Sequence, residues 1–274
     1  ALIKENLLPK WRTERKKLDR IDGWLRWDHD DPHRPRHATQ EYRELAARAQ
    51  APWGDLIVGS VAQTLYVEGY RRPDAPKDAT GWRIWQANGM DSRQVAIHRA
   101  VLTYGLAYAT CLPGKTISGK PMPQMRGVSP REMIAVYRDP ANDDWPAFTL
   151  RVLKVRGGYE LSVLDDELLY TVKVKDLGDT PKAEDVTGAA HESGVCPVVR
   201  YKNRFDFEGR SAGEIEPFIP VLGRIDQTAF DRLVVQRFAS WIVRTIAGMD
   251  VPASAAATGE TVDQVKMRLK VEDF

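Results

Sequence analysis

Between Phe148 and Val174 the chain carries three short segments in which apolar and polar side chains alternate. Phe148, Leu150 and Val152 are separated by Thr149 and Arg151. Tyr159, Leu161 and Val163 form the second segment, and Leu168, Tyr170, Val172 and Val174 the third. Successive side chains of a strand point to opposite faces, so this period buries one face of a sheet and leaves the other to water. Gly157-Gly158 joins the first two segments, because both positions tolerate the positive φ of a two-residue hairpin turn. Asp165-Asp166-Glu167 makes the second turn. The spacing predicts a three-stranded antiparallel meander.

The flanking sequence has a helical period. Lys10 to Trp27 places Leu18, Ile21 and Leu25 on one side. Glu41 to Gln50 reads as a second helix. Pro52 opens a third, with Leu56, Ile57, Ser60, Val61, Thr64 and Leu65 as its stripe. Tyr66 to Tyr70 reads as extended, and Arg71 to Thr80 as a loop. Trp82 to Asn88 is a short helix closed by Gly89. Asp91 or Ser92 is expected to cap the next helix, which runs to Tyr104. Leu106 to Leu112 reads as a strand, Asp176 to Gly194 as a polar linker, and Val198 to Tyr201 as a short strand. Late in the chain Ile215, Phe218, Ile219, Leu222, Ile225, Ala229, Phe230 and Leu233 share one helical face. Pro217 and Pro220 belong to its first turn. Trp241 to Ile246 fits a strand or a buried helical end, and Ala253 to Ala257 a linker. The fold class is α+β: a helical N-terminal half, an antiparallel meander and a long late helix. The division expected is 1–210 and 211–274, with Phe274 read as the end of a fragment.

Composition and motifs exclude more than they identify. The 274 residues carry 40 basic and 38 acidic side chains, a net charge of +2, so no global excess points to nucleic acid or membrane. No charged-then-apolar leader opens the chain, and no apolar run reaches the ~20 residues of a membrane span. A soluble chain made in the cytoplasm is expected. Cys111 and Cys196 have no metal-ligand spacing and read as free thiols, with a disulfide as the alternative. Gly114-Lys115-Thr116 resembles the end of a P-loop, but Ala109 stands where that motif needs glycine. A hairpin turn is expected there instead. The loop Asp28 to His37 holds His29 and His33, but Pro32 and Pro35 deny them a shared helical face, so a solvated loop is expected. Asp143-Asp144 and Asp165-Asp166 could hold a divalent metal in a DNA-processing enzyme, yet both lie at turn signals, where Asp stabilises the turn itself. No nucleophile elbow is present, and His98 has no partner visible in the sequence. No catalytic residue, metal site or cofactor is expected.

Asp226 stands out, lying about 40° from Leu222 on an ideal helical wheel, close to the apolar face. A carboxylate there needs a partner, either within the chain or on a neighbouring subunit. Arg237 and Arg244 continue the same face and share the interface or channel reading. The basic stretch that includes Lys10, Arg12, Arg15 and Lys16 reads as a solvated helix face, with nucleic-acid contact as the alternative.

Several segments together resemble the portal proteins of long-tailed phages and prophages. The closest likeness runs through Pro197-Val198-Val199-Arg200-Tyr201-Lys202-Asn203-Arg204, Gly209-Arg210-Ser211, Glu214-Ile215 and Ile219 to Thr228, and continues through Asp231-Arg232-Leu233 to Ala247-Gly248-Met249. Asn88 to Asp91, Tyr104 to Tyr108, Ser129 to Glu132 and Val136 to Pro140 agree less closely. The resemblance implies a portal-like wing domain and a long helix leading toward the stem, with the rest of the clip, stem and crown absent. It implies a twelve-subunit ring at the unique capsid vertex, through which double-stranded DNA is packaged and ejected. The implied partners are the terminase large subunit, major capsid protein, scaffold and head-tail connector proteins, and the implied location is the virion, after assembly in the host cytoplasm. A metal-dependent DNA-processing enzyme and a monomeric adaptor protein are the competing readings.

Overall fold

Helices come first. The computed structural model describes residues 2–33, 39–75, 79–116, 118–179 and 183–239. A π-helical turn at Leu2–Leu7 leads into α1 (Leu8–Arg26), followed by α2 (Gln40–Ala49), α3 (Trp53–Ala62), α4 (Thr80–Ala87) and α5 (Met90–Tyr104). Strands β1 (Leu106–Leu112), β2 (Gln124–Val128), β3 (Met133–Val136), β4 (Phe148–Val155), β5 (Gly158–Leu164), β6 (Leu168–Val174), β7 (Thr187–Ala190) and β8 (Val198–Lys202) follow. A 3-10 turn at Glu216–Phe218 opens α6 (Ile219–Ala239). One compact unit is Ala1–Asp231. The other is Arg232–Phe274, of which only 232–239 is described. Arg244, Trp241 to Ile246, Ala247 to Met249 and Ala253 to Ala257 lie outside the described residues.

The fold is α+β with two antiparallel sheets. The predicted meander is the centre of a five-stranded sheet, β3-β4-β5-β6-β7. Its register sets Leu150 against Val163, Leu161 against Val172 and Tyr159 against Val174. The alternating residues therefore form one apolar face, onto which Leu7, Leu8 and Trp11 pack. Burying a side chain of that size stabilises by about 1.5–3 kcal/mol, so the start of α1 is bound chiefly by this face. The β4–β5 turn is Arg156-Gly157, one residue earlier than expected, and Gly158 is already paired. Gly158 is fixed by a close approach: a Cβ there would lie 2.2 Å from the Val174 carbonyl oxygen.

The smaller sheet, β2-β1-β8, is covered by α5, with Met90, Ile97 and Ala107 buried between them. Its β1–β2 hairpin is the turn expected at Gly114-Lys115-Thr116, closed by a Lys115–Pro121 bridge. Tyr108, Val128, Met133, Leu164, Cys196 and Val198 fill the space between the sheets. Both cysteines are free thiols.

Four expectations are corrected. β7, a short exposed edge strand on β6, lies inside the predicted linker. α5 starts at Met90 behind Gly89 at φ 63°, so Asp91 and Ser92 sit in its first turn rather than capping it. In α3 the buried side is Gly54, Val58 and Ala62, and of the predicted stripe only Ile57 packs against the core while the rest faces outward. In α6 the buried seam is Ile219, Leu222, Asp226 and Phe230, while Phe218 and Ile225 are exposed.

Candidate functional site: the grip on the long helix

The buried seam of α6 carries one carboxylate. Asp226 is 3% exposed, in line with Leu222 and Phe230. Its partner is His29, whose Nε2 lies 2.9 Å from Asp226 Oδ2. The His29 ring stacks on Trp24 at 3.7 Å between centroids and 14° between planes. The two side chains are almost fully enclosed, so this polar contact forms without competition from water. The solvated-loop expectation for Asp28 to His37 therefore fails at His29. Prolines prevent a helix there, but the extended chain still delivers the imidazole inward. His29 Nδ1 and Asp226 Oδ1 have no hydrogen-bond partner among the described residues.

The grip extends along one side of the helix. His33 N–H donates to Gln227 Oε1 at 2.7 Å, and Gln227 Nε2 returns a bond to the His33 carbonyl at 3.3 Å. One turn on, the Phe230 ring meets Tyr42 of α2 at 6.4 Å. One turn earlier, Gly223 faces Trp24, which a Cβ would meet at an ordinary contact distance of 3.7 Å. Gln50 steadies the loop from behind, donating to the His29 carbonyl at 3.3 Å. Ile219 and Leu222 complete the attachment in a core shared with Leu18, Ile21, Val58, Leu102 and Ile215.

A second polar node fixes α1 itself. Asp22, also buried, accepts from Tyr104 Oη at 2.6 Å and pairs with Arg131 at 2.7 Å. Arg131 also donates to Asp19 at 2.8 Å. Burial and this carboxylate push the Tyr104 hydroxyl far above its ordinary range.

The basic face of α1 divides in two. Arg15 pairs with Asp19 at 2.7 Å and donates to the Arg131 carbonyl, and Arg12 reaches the Leu177 carbonyl at 3.4 Å. Lys10 and Lys16 are exposed, without a partner among the described residues. Arg237 is exposed in the last turn of α6.

The remaining polar candidates have structural roles. Asp165 Oδ1 accepts the Glu167 and Leu168 N–H groups of the β5–β6 turn, and Asp143 accepts Asp139 N–H. Among the described residues no group of three or more His, Cys, Asp or Glu could hold a metal. His98 lies 3.4 Å from Gln94 Oε1, and burial lowers its pKa. A cleft of about 1110 Å³ runs between α1, β3 and residues 200–217. Its arginines are occupied: Arg200 stacks on Tyr137 at 3.9 Å, Arg204 pairs with Glu214, and Arg210 pairs with Asp206. This chemistry holds elements together.

The family model described as phage portal protein, SPP1 Gp6-like, matches residues 5–273. The chain belongs to the phage portal protein family. Portal proteins are bacteriophage structural proteins of the head-tail connector and serve DNA packaging. No curated protein matches this portal chain. Of the segments whose likeness was noted in the sequence, Ile219 to Thr228 forms most of the gripped part of α6, and its Asp226 is the carboxylate that His29 holds. Sequence reasoning found Asp226 and missed His29, Trp24 and Gln227. The signal that pointed toward them was the need of a carboxylate on an apolar helix face for a partner.

Proposed function

We propose that this chain is a subunit of the portal ring at the unique capsid vertex, through which double-stranded DNA is packaged and ejected. In this reading 1–210 is the wing and the helix within 211–274 leads toward the stem. The observation that carries it is the family match, spanning residues 5–273. The geometry supports it: a helix held along one side by Asp226, Gln227 and Phe230 can pass load to a mixed α+β body without reacting groups. The full ring is a dodecamer that docks the terminase large subunit, major capsid protein, scaffold and head-tail connectors. It sits in the virion after assembly in the host cytoplasm. Arg237 and Arg244 are assigned to the subunit interface or channel. Asp226 serves that interface indirectly, by setting the helix that carries Arg237. Lys10 and Lys16, with Arg12 and Arg15 behind them, are assigned to weak, salt-sensitive contact with DNA phosphates. Near-balanced charge fits a channel through which a duplex must slide.

Negative-stain imaging of the full chain tests this reading. Closed rings with a central hole are expected, and particles of one or two subunits would overturn it. A magnesium-dependent nuclease activity lost in Asp165→Ala or Asp143→Ala would replace it with the enzyme reading.

A further inference from the structure

The third helix is apolar nearly all round, yet among the described residues only one side of it is covered. Trp53–Ala62 reads Trp-Gly-Asp-Leu-Ile-Val-Gly-Ser-Val-Ala, and its buried side uses the small residues Gly54, Val58 and Ala62. Close approach explains that choice, since a Cβ on Gly54 would lie 2.5 Å from the Trp24 carbonyl oxygen. The larger side chains are left outward. Trp53, Leu56, Val61, Leu65, Tyr66 and Tyr70 keep between 38% and 59% of their surface exposed. Residues 63–70 are held beside α5 by Gln94, which accepts the Val67 N–H at 2.8 Å. A helix with two apolar sides belongs in an interior, so the second side implies a second covering surface.

We propose that this outer face of α3, continued to Tyr70, is a contact surface for a second copy of this chain. The proposal rests on the ring reading and assigns one face of the subunit contact. Three observations choose the occupant. At ~150–250 Å² for a whole aromatic side chain, the exposed apolar area is on the order of 500 Å². That sits toward the upper end of the ~300–600 Å² of a monomer's largest apolar patch, which is often functional, and is more than half of the ~800 Å² per partner of a standard interface. Only Asp55 and Glu68 are charged among residues 53–70, in a chain that is 28% charged. Depletion of charge with enrichment of Trp and Tyr marks the centre of a protein contact. Asp55 is already turned aside, paired with Arg99 at 2.6 Å. A ring also requires each subunit to present two different surfaces, one to each neighbour. This face shares no residue with the cleft beside α1 or with the grip on α6.

The test compares the full chain with Leu56→Glu and Ser60→Arg by sedimentation velocity and circular dichroism. Ser60 is exposed at the middle of the face, so its variant keeps the core intact. The expected result is native circular dichroism with loss of the high-mass species in both variants. Assembly as in the unchanged chain, in Ser60→Arg or in both, would overturn the surface assignment and leave the ring reading standing. A monomeric unchanged chain would overturn both. Leu56→p-benzoylphenylalanine, irradiated in the assembled protein, is expected to give covalent dimers. A product confined to single chains would mean that the chain covers this face itself, and would overturn the proposal.

Discussion

The five-stranded sheet and the grip on α6 are both well packed, but they are specified in different ways. In the sheet the main apolar face repeats at a spacing of two, and partners such as Leu161 and Val172 lie close together in sequence. In the grip, His29 and Asp226 meet across 197 residues, and each is a polar group on an otherwise apolar surface. The sheet gains from many interchangeable contacts. The grip depends on a few that nothing nearby can replace. A local repeat writes stability into the sequence openly, whereas a long-range polar pair leaves one sign only, a carboxylate where burial is expected.

Substitutions can break that contrast. The largest effect is expected from Leu150→Ala, because Leu150 is fully buried at the centre of the sheet. It should lower unfolding free energy by roughly 2–5 kcal/mol, read from the midpoint of urea denaturation. Next comes His29→Ala, which strands Asp226 in an apolar setting and should lose about 3 kcal/mol. A double-mutant cycle with Asp226→Ala distinguishes coupling from simple cavity formation. The double variant should lose far less than the sum of the single ones, and additive losses would mean that the pair carries no special weight.

Alkaline titration sharpens the comparison from the sheet side. Burial pushes the Cys196 thiol and the Tyr137 hydroxyl each up to about 12, from ordinary values of 9.0 and 10.0. A raised folded pKa favours the protonated form, so this stability is fully present below the unfolded values. It is lost as pH rises through the folded ones. Denaturation midpoints should therefore fall between about pH 9 and pH 12, and Cys196→Ala should flatten that fall. The smallest effect is expected at Asp165→Ala, which removes two turn hydrogen bonds at an exposed edge and should cost about 1 kcal/mol.

Much of the fold was legible because it is local. The meander, the late helix, β1 and the turn after it follow from period and turn residues alone, whereas β2 at Gln124–Val128 shows no alternation and was not legible. β7 was not, since Thr187-Gly188-Ala189-Ala190 is short, exposed and without alternation. The outward face of α3 was misread as its core face because size outweighed shape. Leu56 and Val61 look like core residues, but only Gly54, Val58 and Ala62 let α1 and α3 approach so closely. At the site, Asp226 could be found because its burial required a partner. His29 could not, because prolines around it argued for a loop and nothing in a loop's sequence tells which side chain turns inward.

Membership of the portal family supports the proposed reading of this chain as a subunit of a ring. Native mass spectrometry of the full chain measures this directly. A single species at an integral multiple of the subunit mass, with the dodecamer expected, is the predicted result. A monomer at every concentration would contradict the account.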